Sequence, residues 1–204
     1  DVARALSEDI GSGDISADDV SPILQTAMQN PHTQMVTYNE TRFLIDRYIP
    51  RPHLILIGGA HVAIPLAQMA QIAGFRVSII DPRSAFATPE RFPDVQRILH
   101  SYPHKALPEL GLTENTYIAV LTHDPKIDDK ALITALPSDV PYIGVLSSSR
   151  THQQRVERLQ AAGLSDDLIA RIHTPIGLDI AGQAPEEIAV AILAQIIAVR
   201  NGKA

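Results

Sequence analysis

The sequence predicts an α/β fold built on a doubly wound parallel sheet, with a small α/β appendage on its N-terminal side. Three observations predict it. Continuous apolar runs of strand length, HLILIG (53–58), RVSIID (76–81) and YIAVLT (117–122), alternate with longer helical patterns. Runs without polar alternation belong to strands buried on both faces, and strands separated by helices pair in parallel. A glycine pair, Gly58-Gly59, joins the first such strand to an alanine-rich stretch, the strand-turn-helix order that places backbone amides near an anion. The third observation is size: 204 residues at 45% hydrophobic content suffice for one full domain with a core and a smaller piece beside it.

Taken in order, VARALSEDI (2–10) reads as a short helix and IGSGDIS as a turn-rich break. Ala17 to Gln29 follows as a helix with aspartates near its start, its first turn limited by Pro22. TQMVTYNETRFLIDRYI alternates polar and apolar residues on each side of Asn39-Glu40, as two short strands would. The Pro50-Arg51-Pro52 step favours extended backbone and marks a boundary. Residues 1–50 are therefore read as an appendage or the remnant of an N-terminal domain, and 51–204 as the main domain.

Beyond the boundary come the strand 53–58, a helix from Ala60 to Ala73, and the strand 76–81. An irregular surface segment from Pro82 to Pro108 holds five prolines and a short strand at VQRIL. The strand 117–122, a helix from Lys126 to Leu136 and the strand PYIGVL succeed it. SSSRTHQQRVERLQAAG is a helix with serines at its N-cap and Gly163 at its stop. Pro185 to Arg200 closes the chain as an amphipathic helix, with proline in its first turn and Glu186 and Glu187 where the helix dipole favours acids.

Charge and composition narrow the function. Acidic residues outnumber basic ones, 23 to 17, and no Lys/Arg run reverses that locally, so nucleic acid is not an expected partner. No apolar run approaches the roughly 20 residues of a membrane span, and the first residues lack a signal core; a soluble, cytoplasmic protein without membrane insertion is expected. With no cysteine, disulfides, thiolate metal sites and a sulfur relay on this chain are excluded.

Candidate site residues gather where strands end. Gly58 and Gly59 precede a helix, and Asp81 closes the next strand 23 positions after Gly58, the layout in which an acid accepts hydrogen bonds from a ribose. Ala60 stands where the dinucleotide fingerprint has its second glycine, and its methyl crowds a diphosphate more than a single phosphate. The turn is either a ligand seat or a tight turn needed only for folding. His61, beside the glycines, is a phosphate or ring contact or an exposed helix-start residue. His123 and Asp124 follow the third strand, in the loop facing the first strand's turn across the crevice where strand order reverses; Asp124 can instead cap the next helix. Ser147, Ser148 and Arg150 bring hydroxyls and a guanidinium to the same rim, or form an N-cap with a surface arginine. His173 to Asp179, including Ile176 and Gly177, reads as a shaped loop able to cover a site. His100 and His104 stand four apart, but Pro103 between them breaks the helix a zinc pair would need. No hydrolytic motif or Walker lysine is present, so no catalytic residue is assigned.

Five stretches together carry a resemblance: PRPHLILIGGAHVA (50–63), GFRVSIIDPRSAFATPERFP (74–93), LTHDPKID (121–128), YIGVLSSSR (142–150) and RIHTPIGLDIAGQAPEEIAVAILAQIIAVR (171–200). In these runs the chain resembles the XdhC/CoxI family of xanthine dehydrogenase accessory proteins, over most of the sequence beyond Pro50. The resemblance implies a Rossmann-like domain that binds molybdenum cofactor (molybdopterin) as cargo. Such a protein serves as a chaperone: a cysteine desulfurase partner installs the terminal sulfur, and the cargo goes to xanthine dehydrogenase or a related molybdenum hydroxylase. Gly58, Gly59, Ala60, His61, Asp81, Arg83, His123, Asp124, Ser147, Ser148, Arg150, Ile176 and Gly177 would contact it. The family reads Gly-Ala-Gly-His-Val at the turn, where this chain has Gly58-Gly59-Ala60-His61-Val62. The alternatives are an NAD(P)-dependent oxidoreductase using Asp81 for the ribose, and a docking surface without ligand. The apolar stripe Ile188, Ile192, Ile196 of the last helix serves either a homodimer or burial against the sheet.

Overall fold

A computed structural model of the chain describes Gln25, residues 34–38 and 41–45, and residues 50–203. The helices expected at 2–10 and 17–29 lie, apart from helical Gln25, outside the described residues, as does the intervening break. The chain forms two compact units, Asp1–Pro50 and Arg51–Ala204.

In the first unit, β1 (Gln34–Tyr38) and β2 (Thr41–Ile45) pair antiparallel, with Tyr38 opposite Thr41 and Met35 opposite Leu44. These are the two short strands the alternation predicts. Met35 and Leu44 are both exposed.

The second unit holds β3 (His53–Ile57), α1 (Ala63–Ile72), β4 (Arg76–Ile80), β5 (Arg97–Leu99) and α2 (Pro103–Leu110). After them come β6 (Thr116–Val120), α3 (Pro125–Ala135), β7 (Tyr142–Val145), α4 (Ser149–Ala161), α5 (Asp166–Ile169), β8 (Ile172–His173) and α6 (Pro185–Arg200). The strands form a six-stranded sheet in the order β5-β4-β3-β6-β7-β8, and every adjacent pair is parallel. The chain works outward from β3 to β5, then crosses to β6 and works outward the other way, which makes the sheet doubly wound.

Side-chain alternation along β3 divides the core. Leu54 and Leu56 pack with Ala63, Leu66 and Ala70 of α1 and with Ile192 and Ile196 of α6 on one face. Ile55 and Ile57 pack with Leu107 of α2 and Ile127, Ala131 and Leu132 of α3 on the other. Each such side chain, fully buried, contributes about 1.5–3 kcal/mol. The stripe on the last helix goes into this core: Ile192 and Ile196 are fully buried, so they are not available to a homodimer face.

Three differences from the sequence reading have local causes. The first helix begins at Ala63 rather than Ala60, because residues 60–62 form a turn closed by the Ala63 N–H on the Ala60 carbonyl. The segment 82–108 does hold the strand at VQRIL, but Pro103 to Leu110 is a helix. Pro103 sits in its first turn, where the missing N–H costs nothing, and Ala106, Leu107 and Leu110 bury one face. Ala87, Phe92 and Val95 are also buried, so this segment is anchored to the core and does not simply run over the surface. The very short α5 and β8 carry too few residues for a periodic signal. Among the described residues no helix is long and apolar enough to cross a membrane.

Candidate functional site

The strand ends of β3 and β6 meet where the strand order reverses, so the loops beyond Ile57 and Val120 lie where open α/β sheets place a ligand crevice. Gly58 leaves β3 with φ +104°, and a Cβ there would lie 2.6 Å from Thr122 Cγ2. Only glycine fits both the backbone angle and that contact. At Gly59 a Cβ would collide with the Phe86 carbonyl oxygen. The close approach that this glycine permits is thus made by the chain's own segment after β4.

One amide of the turn is engaged within the chain itself. The Gly59 N–H donates to Asp81 Oδ2 at 3.0 Å, and the Gly59 carbonyl accepts from Arg91 Nη2 at 3.0 Å. Ala60 is half-buried and His61 exposed. No side chain caps the start of α1.

Asp81, expected to receive a ribose, is fully buried and already engaged. Its carboxylate accepts from the Gly59 N–H, the Arg83 N–H, Arg83 Nε (2.9 Å) and Arg83 Nη2 (3.0 Å). Burial alone would raise this carboxyl; the Arg83 guanidinium and the two amides overcome it and hold it below the ordinary carboxylate value. Arg83 lies over the Phe86 ring, 4.2 Å from its centroid, with its side chain 35% exposed.

Across the crevice, His123 is exposed and held at φ +60°, a conformation uncommon outside glycine. Asp124 caps α3, accepting from the Lys126 N–H at 2.9 Å. Behind this loop lies a buried polar network. Thr122 Oγ1 donates to Asp128 Oδ1 and accepts from the Asp124 N–H. Asp128 Oδ2 faces Arg155 Nη2 at 3.4 Å, and both residues are almost wholly buried. Arg155 Nη1 donates to Ser147 Oγ at 2.9 Å, and Ser147 Oγ lies 3.1 Å from Thr174 Oγ1. Burial raises the Asp128 carboxyl, against the opposing pull of Thr122 and Arg155. The network joins the loops after β6, β7 and β8 to helices α3 and α4.

Ser147 therefore belongs to the network, and Ser148 is the N-cap of α4, accepting from the Thr151 N–H. Arg150 is exposed in the first turn of that helix. Ile176 and Gly177, expected to line a site-covering loop, are packing residues. A Cβ on Gly144 of β7 would lie 2.6 Å from Ile176 Cγ1, and Ile176 is buried. Gly177, at φ +91°, presses on Ala191 and Ile192 of α6 and donates its N–H to Gln195 Oε1 at 2.8 Å. Both positions thus take part in packing against β7 and α6.

The structure thus brings Arg83, His123, Asp124 and the glycine turn to one rim, with Ser147, Ser148 and Arg150 beside it. Thr122, Asp128, Arg155 and Thr174 were missed from sequence. A signal existed for two of them: Asp128 shares a helical face with Ile127, Ala131 and Leu132, and Arg155 lies one turn before buried Leu159. Opposite charges on two apolar faces call for each other. Among the described residues no three His, Asp or Glu side chains are grouped to hold a metal ion.

The family model for the XdhC Rossmann domain matches residues 54–196. Escherichia coli K12 has a relative, the uncharacterized protein YqeB, 33% identical over 74% of this chain and 28% of its own length. A Bacillus subtilis protein named as a probable xanthine dehydrogenase subunit is 32% identical over 79% of this chain and 47% of its own length. The molybdenum cofactor insertion chaperone PaoD of E. coli K12 is 29% identical over 42% of this chain and 27% of its own length. A crystal structure of a xanthine dehydrogenase from Bacillus halodurans superposes with a TM-score of 0.66 at 29% identity, covering 77% of this chain and 45% of that one. The chain spans less than half the length of each of these relatives.

Proposed function

The chain belongs to the XdhC Rossmann domain family, and from that premise we propose that it is the cofactor-handling domain of an accessory protein for a molybdenum hydroxylase. In this reading it binds molybdenum cofactor, supports its sulfuration, and helps insert it into a xanthine dehydrogenase or related enzyme. Two relatives bear the name xanthine dehydrogenase and a third is named a molybdenum cofactor insertion chaperone. Their names supply the class of cargo and partner. With no cysteine in the chain, the added sulfur would come from a partner such as a cysteine desulfurase.

One observation carries the choice of ligand chemistry: Asp81 is saturated by Gly59 and Arg83 rather than open to a ribose. A nicotinamide reductase would need that carboxylate free. The rim instead offers guanidinium groups at Arg83 and Arg150, the imidazoles of His61 and His123, and the Ser148 hydroxyl. Such a donor set fits a ligand with one phosphate and a polar ring. Arg83 and Arg150 would hold the phosphate, and His123, Asp124 and Ser148 the ring edges. The cofactor supplies the redox chemistry in its final enzyme; this chain's residues bind and orient it.

Titration of isolated molybdenum cofactor, followed by pterin fluorescence, tests the proposal. Saturable binding is expected, weakened about tenfold or more by Ala60→Arg and His123→Ala. Absence of saturable binding, or identical binding by folded variants, overturns it. NADH titrated in parallel is expected to bind far more weakly than the cofactor.

A further inference from the structure

Arg83 holds a position that the binding proposal alone does not explain. It directs Nε and Nη2 to the two oxygens of Asp81, and its own backbone N–H binds the same carboxylate. The Phe86 ring lies under the guanidinium plane at 4.2 Å. Asp124, in the loop after β6, and Asp128 of α3 also favour its charge. Asp81 itself has no exposed surface, whereas the Arg83 side chain is 35% exposed. Whatever approaches the end of β4 meets a cation before it meets the acid.

A carboxylate can receive a vicinal diol only through oxygen lone pairs that no other donor fills. Here the Gly59 N–H, the Arg83 N–H and the fork of Arg83 fill them. Bidentate arginine-carboxylate pairs are among the stronger hydrogen-bonded contacts in proteins, and displacing one for two neutral hydroxyls gains nothing. The part of the guanidinium that remains, Nη1, has no hydrogen-bond partner among the described residues and can donate to an anion. We propose that Arg83 is the specificity-determining residue of the crevice: by closing on Asp81 it turns a ribose-accepting end of β4 into an anion-accepting one, excluding ligands that present a ribose diol. This rests on the reading of the crevice as the ligand site, and it deepens that reading by naming the residue that sets the ligand class.

The experiment compares AMP with 2′-deoxy-AMP, which differ by one hydroxyl of the diol, by NMR chemical-shift titration of the whole chain. The wild-type chain is expected to bind the two equally weakly. In Arg83→Ala, the ratio of AMP to 2′-deoxy-AMP affinity should rise about tenfold, whatever both lose with the phosphate contact, and Asp81→Asn in the same chain should return the ratio to that of the wild type. Arg83→Lys, which keeps a charge but cannot span both oxygens, provides a second variant that should show part of the same preference. Equal affinities in both folded variants, or a wild-type chain that already prefers AMP, overturns the inference. Failure of the wild-type chain to bind isolated molybdenum cofactor would instead overturn the proposed function, and leaves the nucleotide contrast readable on its own.

Discussion

Arg155 shows most plainly how single residues set this rim. Its guanidinium is buried with Asp128, and Nε has no partner among the described residues. Removing one member of a buried pair leaves the other charge without compensation, which costs about 3–5 kcal/mol. Arg155→Met should therefore destabilise the chain by about that much in urea unfolding, and Asp128→Leu added to it should restore most of the loss. Gly59→Ala is a second residue-scale test. The new Cβ would meet backbone at Phe86 rather than a flexible side chain, so a loss of about 2 kcal/mol or more is expected by the same measurement. Asp81 was legible from the sequence as the acid that closes a strand, and Arg83 came in only with the family resemblance. That they bind each other was not, because spacing in a sequence reports where side chains start and not which of two partners reaches first.

Among elements, the buried strands and the final helix were legible because their patterns are strong: β3 is apolar from Leu54 to Ile57 and α6 opens on a proline followed by two glutamates. Glu187 also accepts from the Gln183 and Ala184 N–H groups, satisfying donors that a helix start leaves open. The helix α2 was not legible, since Pro103 and Pro108 read as breakers although one stands at the start and the other near the end. Tertiary stitching is equally invisible in sequence. Arg171, just before β8, donates to the carbonyls of Leu136, Ser138 and Val140, beyond the end of α3. Those carbonyls are left by a helix end and the turn after it, and each one unsatisfied costs about 1–3 kcal/mol when buried. Arg171→Ala should lower the melting temperature by several degrees, on the order of 4–8 °C for about 2 kcal/mol at this size or somewhat less, and Arg171→Lys should recover only part of it.

For the whole molecule, titration ties folding to pH through buried groups, among them one far from the crevice. His53 is buried at the opposite end of β3, with its ring nitrogens against Ser78 Oγ (2.8 Å) and Arg76 Nη2 (2.9 Å). Burial, then Arg76 and Arg97, lower its pKa to about 4. Burial lowers His152 and His173 as well. A histidine kept neutral when folded takes up its proton first in the unfolded chain. Its contribution is therefore complete above the unfolded value near 6.5 and is lost as pH falls toward about 4. Asp81, lowered by its partners, loses its contribution further into acid, while raised Asp128 acts in the opposite sense. Unfolding free energy should rise between about pH 4 and 6.5, and His53→Gln should flatten most of that slope; a slope unchanged in the variant would assign it elsewhere.

The Gln195 amide oxygen accepts from both the Tyr142 hydroxyl of β7 at 2.7 Å and the Gly177 N–H at 2.8 Å, and the Leu178 N–H binds the Ala191 carbonyl at 3.1 Å. One side chain of α6 thus fastens strand β7 and the loop after β8 at once. A loop fastened in this way cannot breathe alone: the Gly177 and Leu178 amides should exchange with deuterium only as fast as the α6 amides around Ala191 and Ile192 do. In Gln195→Ala the loop should exchange ahead of the helix, separating two parts that otherwise open together.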